Sequence, residues 1–284
     1  MTVNIADHGG PILWEGVYDF ALSDYPNISD WELRKLIKFI EYEKVHNRET
    51  EIVCEDKDIR EAVNHALANP EAFLQAPKPS IITYSVCTEC RQKGCLTDYL
   101  CHATGIESAK AIFKCGKLLS TVKVRGMTGE DLAAEREASH AKGFNDPPDY
   151  YEYIMFSWGN CFIGDKIVME KLLGRYPDEY DLSSGFKPGV RFYFTYDAII
   201  SHKNVAEDGS HPAKVKDELS LNDYLHCCII PASERPEFEN IIPASLADRV
   251  FYIENDCKNI WEWCEKVYTT VLLTKALQPS VYMG

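Results

Sequence analysis

The chain has no run of about 18 apolar residues, the length a helix needs to cross a bilayer, so a helical membrane protein is not expected. Basic residues are scarce as well: 30 Lys and Arg stand against 44 Asp and Glu, for a net charge of −14. An acidic surplus of that size opposes broad, sequence-independent binding to phosphate backbones and leaves room only for a local basic cleft. The opening residues MTVNIADHGGPILWEG carry no basic region followed by an apolar core. No secretory signal is therefore expected, and the expected location is the cytoplasm. Four common catalytic signatures are missing: GxxxxGK, GxGxxG after a strand, HExxH and GxSxG. Their absence removes the physical devices they encode, from phosphate-cradling loops to the nucleophile elbow. No internal repeat is visible, which argues against a solenoid.

What is present describes a globular chain of 284 residues, 45% apolar and 26% charged. That length can bury a substantial core. Eleven cysteines are spread along it. Isolated thiols in a reducing compartment act mainly as small core residues. The exception is the cluster Cys87, Cys90, Cys95 and Cys101, whose spacing can close four thiolates on one tetrahedral structural zinc. A reduced, partly buried group of thiols is the favoured reading, because the second half is not a CxxC and Cys101 falls in a strand-like run.

Residues 1–28 hold turn chemistry with little periodicity and read as an irregular arm or capping layer. Ser29 and Asp30 then cap a helix whose face is Trp31, Leu33, Leu36, Ile37 and Ile40, and a second helix runs through Ile59, Val63 and Ala66 to about Asn69. Together they suggest a helical N-terminal lobe over 1–80. A strand is expected over 81–86, a polar helix over 127–142 and a surface loop around 145–149, with a mobile lid as the alternative for that loop. The run 150–158 reads as a buried strand leading into the tight turn at Gly159. Residues 189–196 form the strongest strand, its alternation placing one aromatic set inward. Apolar residues at three-and-four spacing from Ile260 to Leu272 predict an amphipathic C-terminal helix.

The organising stretch is 99–120. Tyr99-Leu100-Cys101-His102 reads as a short strand, Ala103-Thr104-Gly105 as a turn, and Ile106, Ala109, Ile112 and Phe113 as the apolar face of a helix that stops at Gly116. Leu100-Cys101-His102-Ala103-Thr104, followed by a helix closing in Gly116-Lys117-Leu118-Leu119-Ser120, resembles the first motif of the ADP-ribosyltransferase superfamily. The likeness is nearest to members that modify nucleic acids and to tRNA 2′-phosphotransferases, and covers about residues 97–255. It implies an α+β fold with a split, mostly antiparallel sheet, the helical N-terminal lobe and the C-terminal helix lying outside, and a catalytic domain over 81–284.

The resemblance also implies roles. His102 would hydrogen-bond the nicotinamide-ribose hydroxyl of NAD as substrate, and Thr104 would fix that ribose. Ser157 or Trp158 would pack on the nicotinamide ring. Arg191 would hold the pyrophosphate, or else pair with a surface carboxylate, with Tyr193 beside it on the binding strand. Glu218, upstream of the apolar run 225–230, would be the catalytic carboxylate. Arginine-modifying members carry Glu-x-Glu; Lys216 stands in the first of those positions here, which counts against arginine as the acceptor.

A second reading comes from the whole chain. Residues 156–161 and 214–219 look like a group of filamentous-fungal proteins, some of which are tRNA-dependent synthases of arginine-containing cyclodipeptides. Asp217 or Glu218 would then hold a guanidinium, and Lys214, Lys216 and Arg191 would form a local basic track for RNA or tRNA. A third reading is a non-catalytic module that binds a nucleotide or a protein.

Overall fold

The computed structural model describes residues 1–6, 16–80, 96–138 and 147–277. In chain order its elements are β1 (Thr2–Ala6), β2 (Val17–Ala21), α1 (Asp30–Val45), β3 (Glu51–Val53), α2 (Lys57–Ala68), β4 (Tyr99–Thr104), α3 (Ile106–Cys115) and β5 (Lys117–Leu119). They continue as α4 (Thr121–Arg125), α5 (Gly129–Ala138), β6 (Tyr153–Trp158), α6 (Ile163–Leu173), α7 (Glu179–Leu182), β7 (Val190–Thr195), α8 (Tyr196–Ile200), β8 (Val205–Ala206) and β9 (Ala213–Lys216). The last are β10 (Glu218–Ser220), α9 (Leu221–Tyr224), β11 (Cys227–Pro231), α10 (Arg235–Phe238), β12 (Val250–Ile253) and α11 (Ile260–Leu277). The class is α+β. Two compact units form, both discontinuous in sequence: the first takes residues 1–97, 119–156 and 199–218, the second 98–118, 157–198 and 219–284.

In the first unit, α1 begins at a capping box. Ser29 Oγ accepts from the Glu32 N–H while a Glu32 carboxylate oxygen accepts from the Ser29 N–H at 2.9 Å, satisfying two donors that a helix start would otherwise leave bare. The other Glu32 oxygen takes the Ser23 N–H at 2.7 Å, tying the helix to the chain that enters it. Leu33, Leu36, Ile37 and Phe39 of α1, with Ile59, Val63 and Ala66 of α2, bury against Val3, Ile5, Tyr18 and Phe20. Each of the Val, Leu, Ile and Phe side chains taken fully from water contributes about 1.5–3 kcal/mol. Trp31 is buried, as expected of a core residue.

Two expectations for this region are corrected. Residues 1–28 are not simply irregular: β1 and β2 are strands, and with β3 they form a parallel sheet in the order β2-β1-β3. The lobe is therefore helices on a sheet rather than helical alone. Alternation in Val3 and Ile5, and in Tyr18 and Phe20, supplies the buried face, but five residues per strand is too short to stand out from turn chemistry.

In the second unit the strand order is β12-β11-β7-β4, with the end of β6 beside β4; in the first, the start of β6 pairs with β9 and β9 with β8. In the second unit β4 lies antiparallel to β7, β7 antiparallel to β11, and β11 parallel to β12. The sheet is mixed, not mostly antiparallel. A parallel pair needs a long crossover, and residues 232–249, which include α10, provide one between β11 and β12. Strand β7 is buried on both faces, whereas its alternation predicted one inward set. Ile260, Trp263, Cys264, Val267 and Val271 of α11 are fully buried, at the three-and-four spacing expected.

Candidate functional site

The stretch 99–120 folds as its residues dictate. Tyr99, Leu100 and Cys101 are buried, while His102, Ala103 and Thr104 at the end of β4 are half-buried. Gly105 is the N-cap of α3 and offers no capping side chain. Gly116 closes the helix with φ 73°, a left-handed conformation glycine adopts without a Cβ penalty, its N–H donating to the Ile112 carbonyl.

Register then sorts the candidates of the second unit onto two faces. Directly paired residues of antiparallel strands share a face, and neighbours along a strand alternate. His102 pairs with Phe192, Thr104 with Val190 and Leu100 with Trp158, so His102, Thr104 and Trp158 share one face. On that face Trp158 stacks on Tyr196, ring centroids 5.6 Å apart and planes 29° apart. Cys101 pairs with Ser157 and Tyr193, and Ala103 with Arg191, so Ser157, Arg191 and Tyr193 share the opposite face with Cys101. Ser157 Oγ donates to the Cys101 carbonyl at 3.3 Å.

That opposite face is an interior, not a cleft. Arg191 is 0% exposed. Its Nε donates to Asp165 Oδ2 at 2.7 Å, and Nη2 also binds that oxygen. Nη1 donates to Tyr193 Oη at 2.9 Å and to the Gly159 carbonyl at 3.4 Å; Nη2 donates to the Cys161 carbonyl at 2.9 Å and to Cys264 Sγ at 2.7 Å. Burial opposes the guanidinium charge, but Asp165, Cys264, Tyr193 and Cys101 together outweigh burial and hold the group protonated. With its donors taken, Arg191 is placed neither to hold a pyrophosphate nor to pair with a surface carboxylate. Tyr193, beside it, is also fully buried, and burial raises its phenol pKa well above the ordinary value.

Asp165 escaped the sequence reading. In the first turn of α6 it looks like any acid at a helix start. The signal that could have found it is Arg191 itself: an arginine inside an apolar strand run must meet a buried counter-charge.

Asp217 and Glu218 belong to the first unit. Asp217 joins β9 to β10 with φ 67°. Its N–H donates to the Glu152 carbonyl at 2.9 Å and its own carbonyl accepts from the Ser120 N–H at 2.8 Å. Glu218 is exposed.

The expected basic track does not assemble. Lys214 is 0% exposed, 2.9 Å from Asp208, with its ammonium 3.7 Å from the Tyr42 ring centroid and 3.6 Å from that of Tyr150. Arg191 is interior to the second unit. Lys216 is exposed but already pairs with Glu152 at 2.9 Å.

Cys87, Cys90 and Cys95, the strand expected over 81–86 and the first part of the acidic loop lie outside the described residues. Within that loop Asp149 accepts from Tyr42 Oη at 2.5 Å and from Arg48 at 2.6 Å, which anchors its end. Cys101 is described: burial pushes its thiol up to about 12. Among the described residues no group of three or more His, Cys, Asp or Glu is placed to hold a metal ion.

No family model, curated protein or solved structure matches the chain.

Proposed function

We propose that the protein is a transferase of the ADP-ribosyltransferase type, which cleaves the nicotinamide–ribose bond of NAD and passes ADP-ribose to an acceptor. The observation that carries this reading is the end of β4: an imidazole and a hydroxyl, His102 and Thr104, half-buried on one sheet face together with the aromatic Trp158. Such a face offers hydrogen bonds to ribose hydroxyls and a flat surface to a ring.

In this reaction the C1′–N bond breaks, nicotinamide leaves with the electron pair, and positive charge builds on the ribose. The acceptor nucleophile then attacks C1′ and gives up its proton. Glu218 supplies a carboxylate to stabilise the cation. His102 and Thr104 orient the sugar. The alternative reading of a tRNA-dependent synthase relies on three basic residues, two of which are buried.

The test is incubation with labelled NAD and separate pools of protein, DNA, RNA and small molecules. Nicotinamide release with label on one pool is the expected result, and Glu218→Gln should lower turnover on the order of 10²–10³-fold with NAD affinity nearly unchanged. Absence of nicotinamide release with every pool would remove the reading. An RNase-sensitive product formed without NAD would favour the synthase.

A further inference from the structure

Among the described residues, two that are not glycine have a left-handed backbone: Asn47 with φ 58° and Asp217 with φ 67°. Asn47 follows the end of α1, a common place for that conformation. Asp217 ends no helix. It interrupts two short strands, immediately before the exposed Glu218. Such an interruption re-aims the side chain that follows it.

Both backbone groups of Asp217 are held by segments far away in sequence. Glu152, in the turn before β6, takes its N–H at 2.9 Å, and the Ser120 N–H, where α4 begins, binds its carbonyl at 2.8 Å. Left-handed backbone is sparsely populated for residues other than glycine and persists where the surroundings fix it. Here two hydrogen bonds do so.

We propose that Asp217 is a positioning residue: the latch formed by Ser120 N–H and Glu152 C=O on its peptide groups sets the direction of the Glu218 carboxylate before any substrate arrives. This inference rests on the reading of Glu218 as the cation-stabilising group. The latch uses backbone atoms alone. The Ser120 hydroxyl, on a residue 1% exposed, has no hydrogen-bond partner among the described residues. The Ser120 side chain is therefore dispensable to the latch and its N–H is not.

That distinction gives a clean experiment. Ser120 has φ −64°, the value a proline ring imposes, and follows a strand residue, so Ser120→Pro deletes the N–H without a change of backbone conformation. Ser120→Ala keeps the donor. Asp217→Gly keeps the left-handed turn, and Asp217→Val opposes it. In full-length protein, with thermal midpoints showing each variant folded, amide exchange at position 217 should be slow in the wild type, Ser120→Ala and Asp217→Gly. In Ser120→Pro and Asp217→Val it should be at least about tenfold faster. The rate constant kcat for nicotinamide release should fall on the order of 10- to 100-fold in the latter pair, with KM for NAD within about twofold, and stay within about threefold in Ser120→Ala.

Equal exchange in all variants would overturn the latch, whatever the reaction is. Altered exchange with unaltered kcat would overturn positioning and leave the NAD reading standing. Wild-type protein that releases no nicotinamide would overturn that reading and this catalytic assignment together, and the exchange pattern would then mark the latch as a feature of stability alone.

Discussion

Asp165→Asn should be among the most damaging single changes in the second unit. The substitution keeps the size of the side chain and removes the charge that balances a guanidinium with 0% exposure. Breaking a buried pair from one side costs about 3–5 kcal/mol, because the remaining ion stays in the interior unpaired. At about 2–4 °C per kcal/mol for a domain of this size, the thermal midpoint should drop by roughly 6–20 °C. Urea unfolding followed by tryptophan fluorescence measures the free energy directly. The double substitution Asp165→Leu with Arg191→Met removes both charges and separates two contributions. It should recover part of the loss and not all of it, since the carbonyls of Gly159 and Cys161 would lose their Arg191 donors. Each lost hydrogen bond from a charged donor costs about 1.5–3 kcal/mol. A loss below about 1 kcal/mol for Asp165→Asn, or full recovery in the double variant, would refute the argument that Arg191 is a hub of the interior.

Other consequences follow from the same chemistry. Burial works against the Asp208 carboxylate, but Lys214 and His211 outweigh it and hold its pKa well below the usual range; burial also works against Asp149, but Arg48, Tyr42 and His46 outweigh it and lower its pKa. A depressed carboxylate contributes stability above its unfolded pKa, about 4, and loses it as pH falls through the folded value. The thermal midpoint should therefore fall from about pH 4 downward, and less steeply in Asp149→Asn; a midpoint that stays flat or rises on acidification contradicts the network. Cys115 is exposed whereas Cys101 and Cys228 are buried with thiols pushed upward. Alkylation of native protein at pH 8, read by mass spectrometry, should mark Cys115 and spare the other two until denaturant is added.

Much of the second unit was legible because its local signals agree. Gly105 and Gly116 bracket α3, the run at 190–195 is apolar enough to be a strand in any setting, and the spacing in α11 announces a buried face. What failed is what local patterns do not carry. The parallel pairing of β11 with β12 depends on a crossover rather than on strand residues, and a strand buried on both faces resembles an alternating one when its polar member is an arginine with a buried partner. Periodicity also could not assign the candidates to faces of the sheet, since that depends on the register of β4 against β6 and β7. His102 and Thr104 emerged half-buried on the face that carries Trp158, while Arg191 and Tyr193, two positions apart on one strand, went inside. Lys214 was misplaced for a similar reason: its charge marked it for the surface, and Asp208 with the rings of Tyr42 and Tyr150 gave it a place within.

The central claim is that His102 and Thr104, on one face of β4, serve one reaction. Its most direct test is single-turnover nicotinamide release from NAD by His102→Ala, Thr104→Ala and the double variant. Residues acting on one transition state are strongly non-additive, so each single variant should lose most of the rate and the double should fall little below the worse of them. Wild-type rates in either single variant, or losses that multiply in the double, would contradict the account.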